Sequence, residues 1–106
     1  MTDWELARRV ADIASEEKAI DVVVLDVREL TVLADYFVIA SGRSTIQVKM
    51  IAESIEDILL EEGHRALRRE GFNEGRWIVL DYGSVIVHVF RHQEREYYQL
   101  EKLWAG

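Results

Sequence analysis

Val22-Val23-Val24-Leu25 narrows the fold more than any other stretch of this chain. Three of its four residues are β-branched, which favours strand over helix, and no polar residue interrupts the run. A strand that is apolar on both faces is expected in the middle of a sheet covered on each side. Such a sheet needs helices, and the sequence supplies them. Thr2 and Glu5 have capping-box spacing, and Leu6, Ala7, Val10, Ile13 and Ala14 follow at three- and four-residue steps. Ser44 and Gln47 repeat that spacing before a second stripe of Val48, Ile51, Ala52, Ile55, Ile58 and Leu59. Gly63 then stands where a left-handed residue closes a helix at little steric cost.

The remaining runs are short and strand-like: Tyr36 to Ala40, His64 to Arg69, Trp77 to Leu80 and Val85 to Phe90. A last helix is expected from Glu94 to Trp104, with Tyr97, Leu100 and Trp104 on one side. Proline is absent, so no proline-rich linker divides the chain. Gly42, Gly63, Gly71, Gly75 and Gly83 fall between runs of different period. At 106 residues the chain is one domain, 1–106, because two halves would each be too small to bury a core. The order α-β-β-α-β-β-β-α gives an α/β (α+β) fold, a mixed sheet of about five strands with flanking helices.

Charge and composition remove several functions. Thirteen Lys and Arg against twenty Asp and Glu leave a net charge of −7, which disfavours a surface built to grip phosphates. That charge fits a neutral or basic protein partner, or no charged partner at all, with no direct sequence-specific nucleic-acid binding expected. Cysteine is absent, and with it go disulfides, thiolate nucleophiles and cysteine metal sites. No apolar run is long enough to span a membrane, and Met1 to Glu5 carries no basic-then-apolar leader, so a cytoplasmic location is expected.

The hairpin around Asp81-Tyr82-Gly83-Ser84 is the most informative local feature. A two-residue loop at Tyr82-Gly83 sets Asp81 opposite Ser84, Leu80 opposite Val85 and Ile78 opposite Val87. That face, continued by Val89, is aliphatic and belongs to the core. The other carries Trp77, Val79, Asp81, Ser84, Ile86, His88 and Phe90, with Trp77 across from His88. A four-residue loop preserves this division, whereas an odd one scrambles it. The mixed composition has two readings. Aromatics beside a histidine and a carboxylate suit a recognition surface. Alternatively, the last helix folds over this face and buries Trp77 internally.

Catalytic patterns are weaker. His88 and His92 are four apart, but His88 to Phe90 reads as strand rather than helix, so the pair lacks the geometry of a helical metal site. Ser41-Gly42-Arg43-Ser44 could cradle a phosphate, yet it has one glycine and no Walker lysine, and reads first as a helix N-cap. Asp21, Asp26 and Asp35 form no Asp-x-Asp pair. Arg65, Arg68 and Arg69 are offset by Glu61, Glu62 and Glu70, as on a solvated edge strand. The residues by themselves thus describe a non-catalytic domain with one mixed face.

Three blocks of sequence carry a resemblance. Asp21 to Val27, Leu30-Thr31 and Ala34 to Gly42 form the first, Glu70-Gly71, Trp77 to Gly83 and Val87 to Phe90 the second, and Arg95, Tyr97-Tyr98 and Leu100 to Trp104 the third. Together they resemble the ribosomal silencing factor S (Iojap-like) family over nearly the whole chain. The resemblance implies a nucleotidyltransferase-like fold without catalytic carboxylates, no cofactor and no turnover. It also implies binding to the large ribosomal subunit through ribosomal protein L-fourteen, with steric blocking of subunit joining and lowered translation when nutrients are short. Homodimers are common among relatives. The family's binding face maps onto Trp77, Asp81, Tyr82 and His88. Ser84 stands where relatives usually carry an acidic residue, so it marks a partner contact that differs here. Two other classes stand beside this reading. An active nucleotidyltransferase-like enzyme would need carboxylates near Ser41 to Ser44, and a structural homodimer would use the mixed face for itself.

Overall fold

The computed structural model describes residues 1–98 and 102. Helix α1 (Asp3–Glu16) is followed by strands β1 (Ile20–Asp26) and β2 (Tyr36–Gly42) and helix α2 (Thr45–Glu61). Strands β3 (Arg68–Glu70), β4 (Trp77–Asp81) and β5 (Val85–Arg91) come next, then helix α3 (His92–Tyr98). The expected element order holds. The last helix begins two residues early, at His92, and its expected Leu100 to Trp104 stretch lies outside the described residues apart from Lys102.

Both capped helices start where their side chains dictate. Thr2 Oγ1 accepts from Glu5 N at 3.1 Å while Glu5 Oε1 accepts from Thr2 N at 3.0 Å, closing the capping box of α1. At α2 only half of the box forms. Ser44 Oγ accepts from Gln47 N at 3.1 Å, but Gln47 Oε1 reaches past Ser44 to Arg43 N at 2.7 Å. Gly63, at φ 92°, ends α2: its N–H and that of His64 bond back to the Leu60 and Leu59 carbonyls.

The sheet order is β1-β2-β5-β4-β3, antiparallel except for the central β2–β5 pair. Helices α1 and α2 pack side by side on one face, joined by Arg9 to Glu62 at 2.8 Å and Ser54 Oγ to Glu17 at 2.9 Å. Their stripes meet Val38, Ala40, Ile78, Leu80, Val85, Val87 and Val89 in the main core. The valine run is placed at an edge rather than in the middle. Every residue of β2 is buried, whereas β1 is only half-covered and hydrogen-bonds on one side alone. Apolarity on both faces reports what lies above and below a strand, and it carries no information about the strand's sides. Val22 and Val24 pack toward the helices, while Leu25 joins Val27, Ala34 and Phe37 on the other side. A register shift between Ile20 and Val23, with Asp21 at φ 49°, breaks the ladder at one end of this edge, as bulges do on exposed strands. Strand β3 is shorter than its sequence run, three exposed residues at the opposite edge.

Candidate functional site

The β4–β5 hairpin keeps its expected faces but not its expected register. Asp81 pairs with Ile86, Val79 with His88, and Trp77 with Phe90 rather than with His88. The turn is Gly83-Ser84, flanked by Tyr82 N donating to Val85 O at 2.9 Å. Gly83, at φ 85°, occupies the first turn position, and Asp81 Oδ1 accepts its N–H at 2.8 Å. A hairpin turn can take its glycine first or second, and this side-chain bond favours the first. Moving the loop centre by one residue shifts cross-strand partners by two, so parity survives. Ile78, Leu80, Val85, Val87 and Val89 are all fully buried against the helices.

Trp77 and His88 still meet, diagonally. The indole Nε1–H donates to His88 Nδ1 at 3.1 Å, and the indole stacks on Phe90 with centroids 4.8 Å apart. Phe37 approaches His88 edge-on at 5.0 Å. Because Nδ1 accepts a hydrogen bond, the neutral ring carries its proton on Nε2, and that buried N–H meets no acceptor among the described residues. Burial pushes the His88 pKa down to about 4. It is a neutral spacer between the aromatic rings of Trp77, Phe37 and Phe90.

The five candidate residues divide between the two faces of the sheet. Trp77, Asp81 and His88 lie on the face away from α1 and α2. Asp81, besides holding the turn, approaches Arg68 of β3 at 3.6 Å. Tyr82 has the opposite parity: its ring packs against the main core and its hydroxyl is buried without a hydrogen-bond partner. That burial, with the nearby Glu56 carboxylate second, drives its pKa upward. Ser84 also leaves the mixed face. Its hydroxyl donates to Asp3 Oδ1 of α1 at 2.8 Å, and its carbonyl accepts from Asp35 N and Tyr36 N.

The mixed face is itself partly covered. Ile39 and Phe90 are fully buried, with Phe37 and His88 nearly so. Val27 and Ala34, from the β1–β2 connection, seal Leu25, Phe37 and Ile86. From α3, the buried Arg95 donates to the Asp21 carbonyl at 2.6 Å and to Ser41 Oγ at 2.9 Å, tying that helix to the bulged end of β1. Trp77, Val79, Asp81 and Ile86 stay half-exposed as a strip. Sequence reasoning missed Arg95 as this staple, since one arginine in an amphipathic tail looks like any solvated cation.

At the strand-to-helix turn, a cavity of about 600 Å³ is lined by Arg43, Ser44, Thr45, Arg91, His92 and two uncharged neighbours. No carboxylate lines it, and Arg91 is engaged by Glu94 at 2.8 Å. Among the described residues no cluster of three or more His, Cys, Asp or Glu is arranged to hold a metal ion. Arg69 stacks on Phe72 at 4.1 Å and pairs with Glu56 at 3.1 Å, so Arg68 and Arg69 of the basic patch are met by Asp81 and Glu56 rather than by their sequence neighbours. No helix among the described residues is long and apolar enough to cross a membrane.

Residues 2–106 match the family model described as ribosomal silencing factor during starvation. The chain is 41% identical to the ribosomal silencing factor RsfS of Bacillus subtilis over 105 residues, covering 99% of this chain and 89% of that protein. It is 34% identical to the chloroplastic protein Iojap of Zea mays over 100 residues, 92% of this chain and 42% of that longer one. A crystal structure of a protein from Chromobacterium violaceum superimposes with a TM-score of 0.96 at 35% identity, over all of this chain and 88% of the other. One from Bacillus halodurans gives 0.86 at 39% identity, over 95% and 94%.

Proposed function

The chain belongs to the ribosomal silencing factor family, and from that premise we propose that it docks on the large ribosomal subunit through ribosomal protein L-fourteen and sterically blocks subunit joining. Translation then falls under nutrient limitation. The action is that of a cytoplasmic binding protein with no turnover and no cofactor.

The half-exposed indole of Trp77 carries this reading in the geometry. It is fixed by a stack on Phe90 and a hydrogen bond to His88, so it would meet a partner with little ordering cost. Asp81 and Ile86 extend the surface beside it. The net charge of −7 supports a basic protein as the partner, since like charge keeps the chain off exposed rRNA and opposite charge speeds encounter.

Sucrose-gradient co-sedimentation with isolated large subunits tests the docking, and a subunit-joining assay by light scattering tests the block. Trp77→Ala should weaken L-fourteen binding by about 2 kcal/mol, a usual aromatic hot-spot magnitude, and release the block in proportion. Wild-type chain that stays at the top of the gradient, or a Trp77→Ala variant that binds like wild type, would contradict the proposal.

A further inference from the structure

The connection between β1 and β2 is folded yet displays apolar side chains to solvent. Val27 and Ala34 point inward and are buried, whereas Leu30, Val32 and Leu33 are 53%, 102% and 76% exposed. The backbone between them is held, with Leu30 N and Thr31 N both donating to Val27 O at 3.0 Å, and Leu33 N donating to Thr31 Oγ1 at 3.1 Å. An ordered projection of aliphatic side chains gains nothing from the fold itself, and apolar patches of this kind mark interaction sites.

Carboxylates crowd the same end of the sheet. Asp35, the last residue of the connection before β2, donates its N–H to Ser84 O at 2.7 Å, and Ser84 Oγ donates to Asp3 Oδ1 of α1 at 2.8 Å, so one serine brings the two acidic residues together. Contact with Asp3, and burial after it, raises the Asp35 carboxyl above its usual range. Glu29 adds a further negative charge. The nearby cations are already engaged: Arg28 with Asp26 at 2.7 Å and over the Tyr36 ring, Arg8 over the ring of Trp4. Arg28 also faces Asp35 but offsets the Asp3 contact only in part, since the Asp35 carboxyl stays raised; an incoming ammonium or guanidinium would relieve the remaining repulsion.

We propose that the Leu30–Leu33 projection and the Asp3–Asp35 pair form one platform for a basic, amphipathic segment of a protein partner. Apolar side chains of that segment would lie on Leu30, Val32 and Leu33, and one lysine or arginine would enter between the two carboxyls. A nucleic-acid backbone is excluded by its sign, and a second copy of the chain would bring the same acidic patch against itself. The inference deepens the docking reading and rests on it: the segment belongs to the ribosomal partner that meets Trp77. Val27, Ala34 and Ile86 connect the platform to the Trp77 strip through one apolar cluster and the β4–β5 ladder.

Calorimetry with purified L-fourteen and co-sedimentation with large subunits test it, using wild type, Val32→Ser/Leu33→Ser, Asp3→Asn/Asp35→Asn, and Ile46→Ser as an exposed apolar control at the start of α2. Circular dichroism melts confirm folding. The Val32→Ser/Leu33→Ser variant should lose roughly tenfold in affinity. The Asp3→Asn/Asp35→Asn variant should lose roughly threefold and show a flatter salt dependence, with Ile46→Ser within twofold. If wild type binds and both double variants bind within twofold of it, the platform is wrong while docking through Trp77 stands. If the wild type binds neither L-fourteen nor large subunits, the docking reading falls and the platform with it. If the Val32→Ser/Leu33→Ser variant only converts a dimer to a monomer in light scattering, the projection serves self-association and this inference is overturned.

Discussion

His88 makes the fold sensitive to acid in a way that can be isolated. Its pKa is about 4 in the folded chain against an ordinary 6.5, because the ring is buried and meets Trp77, Phe37 and Phe90 rather than a carboxylate. At pH 7 both folded and unfolded states hold the ring neutral, and the cost is negligible. As pH falls below 6.5 the unfolded state takes up a proton that the folded state refuses until about pH 4, so stability is lost on acidification. At ~1.4 kcal/mol per pH unit the loss is about 2 kcal/mol at pH 5 and on the order of 3 kcal/mol by pH 4. The carboxylates of Glu5, Asp26, Glu62 and Glu94, held below their usual range by hydrogen bonds and ion pairs, push in the same direction. Wild type must therefore be compared with His88→Gln, whose amide oxygen can still accept from the Trp77 indole. Urea unfolding at pH 7, 6 and 5 should give a wild-type loss about 2 kcal/mol larger than that of the variant, whatever their difference at pH 7. Equal losses, or an imidazole titration near 6.5 by NMR, would refute the assignment of His88 as a buried neutral ring.

Two further substitutions test the division of the hairpin. Ile78→Asp should leave no cooperatively folded protein, because it places an unpaired charge in a fully buried site facing both helices; a soluble variant with a sharp thermal transition would mean that the faces are reversed. Tyr82→Phe removes a buried hydroxyl that has no partner, so it should leave stability unchanged or raise it by up to ~1 kcal/mol, with L-fourteen affinity within twofold of wild type. A loss of affinity in a stable Tyr82→Phe would show that the Tyr82 hydroxyl itself takes part in docking.

Period and parity were the readable part of this sequence. Helical stripes located α1 and α2, and alternation along β4 and β5 separated Ile78, Leu80, Val85, Val87 and Val89 from Trp77, Asp81 and His88 for any loop of even length. These signals are local, because a residue's face is fixed by its own strand. What depends on the sideways order of strands was not readable. The valine run of β1 is apolar on both faces like a central strand, but it is only half-covered and pairs with β2 alone, which makes it an edge. Turn chemistry fell between the two. Gly83 marked the hairpin, but whether Tyr82 or Ser84 shares the turn with it depends on a bond from Gly83 N to Asp81 Oδ1, which sequence spacing does not display. Tyr82 was expected in the turn, at the tip of the mixed face, where alternation assigns no side; with the turn moved to Gly83-Ser84 its ring packs against the main core.

The separation of faces bears on how a small acidic domain could obstruct a large particle. Both long helices lie on one side of the sheet, and the Trp77 strip lies on the other. A partner held on the strip, and reaching the N-terminal end of α1 at Asp3, would leave α2 and the rest of α1 facing outward, as bulk in the path of an approaching surface. The chain's extents are 34 × 31 × 22 Å, so even its shortest dimension exceeds the ~10 Å diameter of a single helix, and in the docking reading it would hold two surfaces well out of contact. A block of this kind needs a rigid connection from the docking strip to the outward helices. The fully buried β2 strand and the aliphatic face of β4 and β5 provide it, since a close-packed core transmits load with little compression. Stability of the core and strength of the block are therefore linked in the docking reading. Substitutions that loosen the Ile78–Val89 layer should weaken the block even where they leave Trp77 in place.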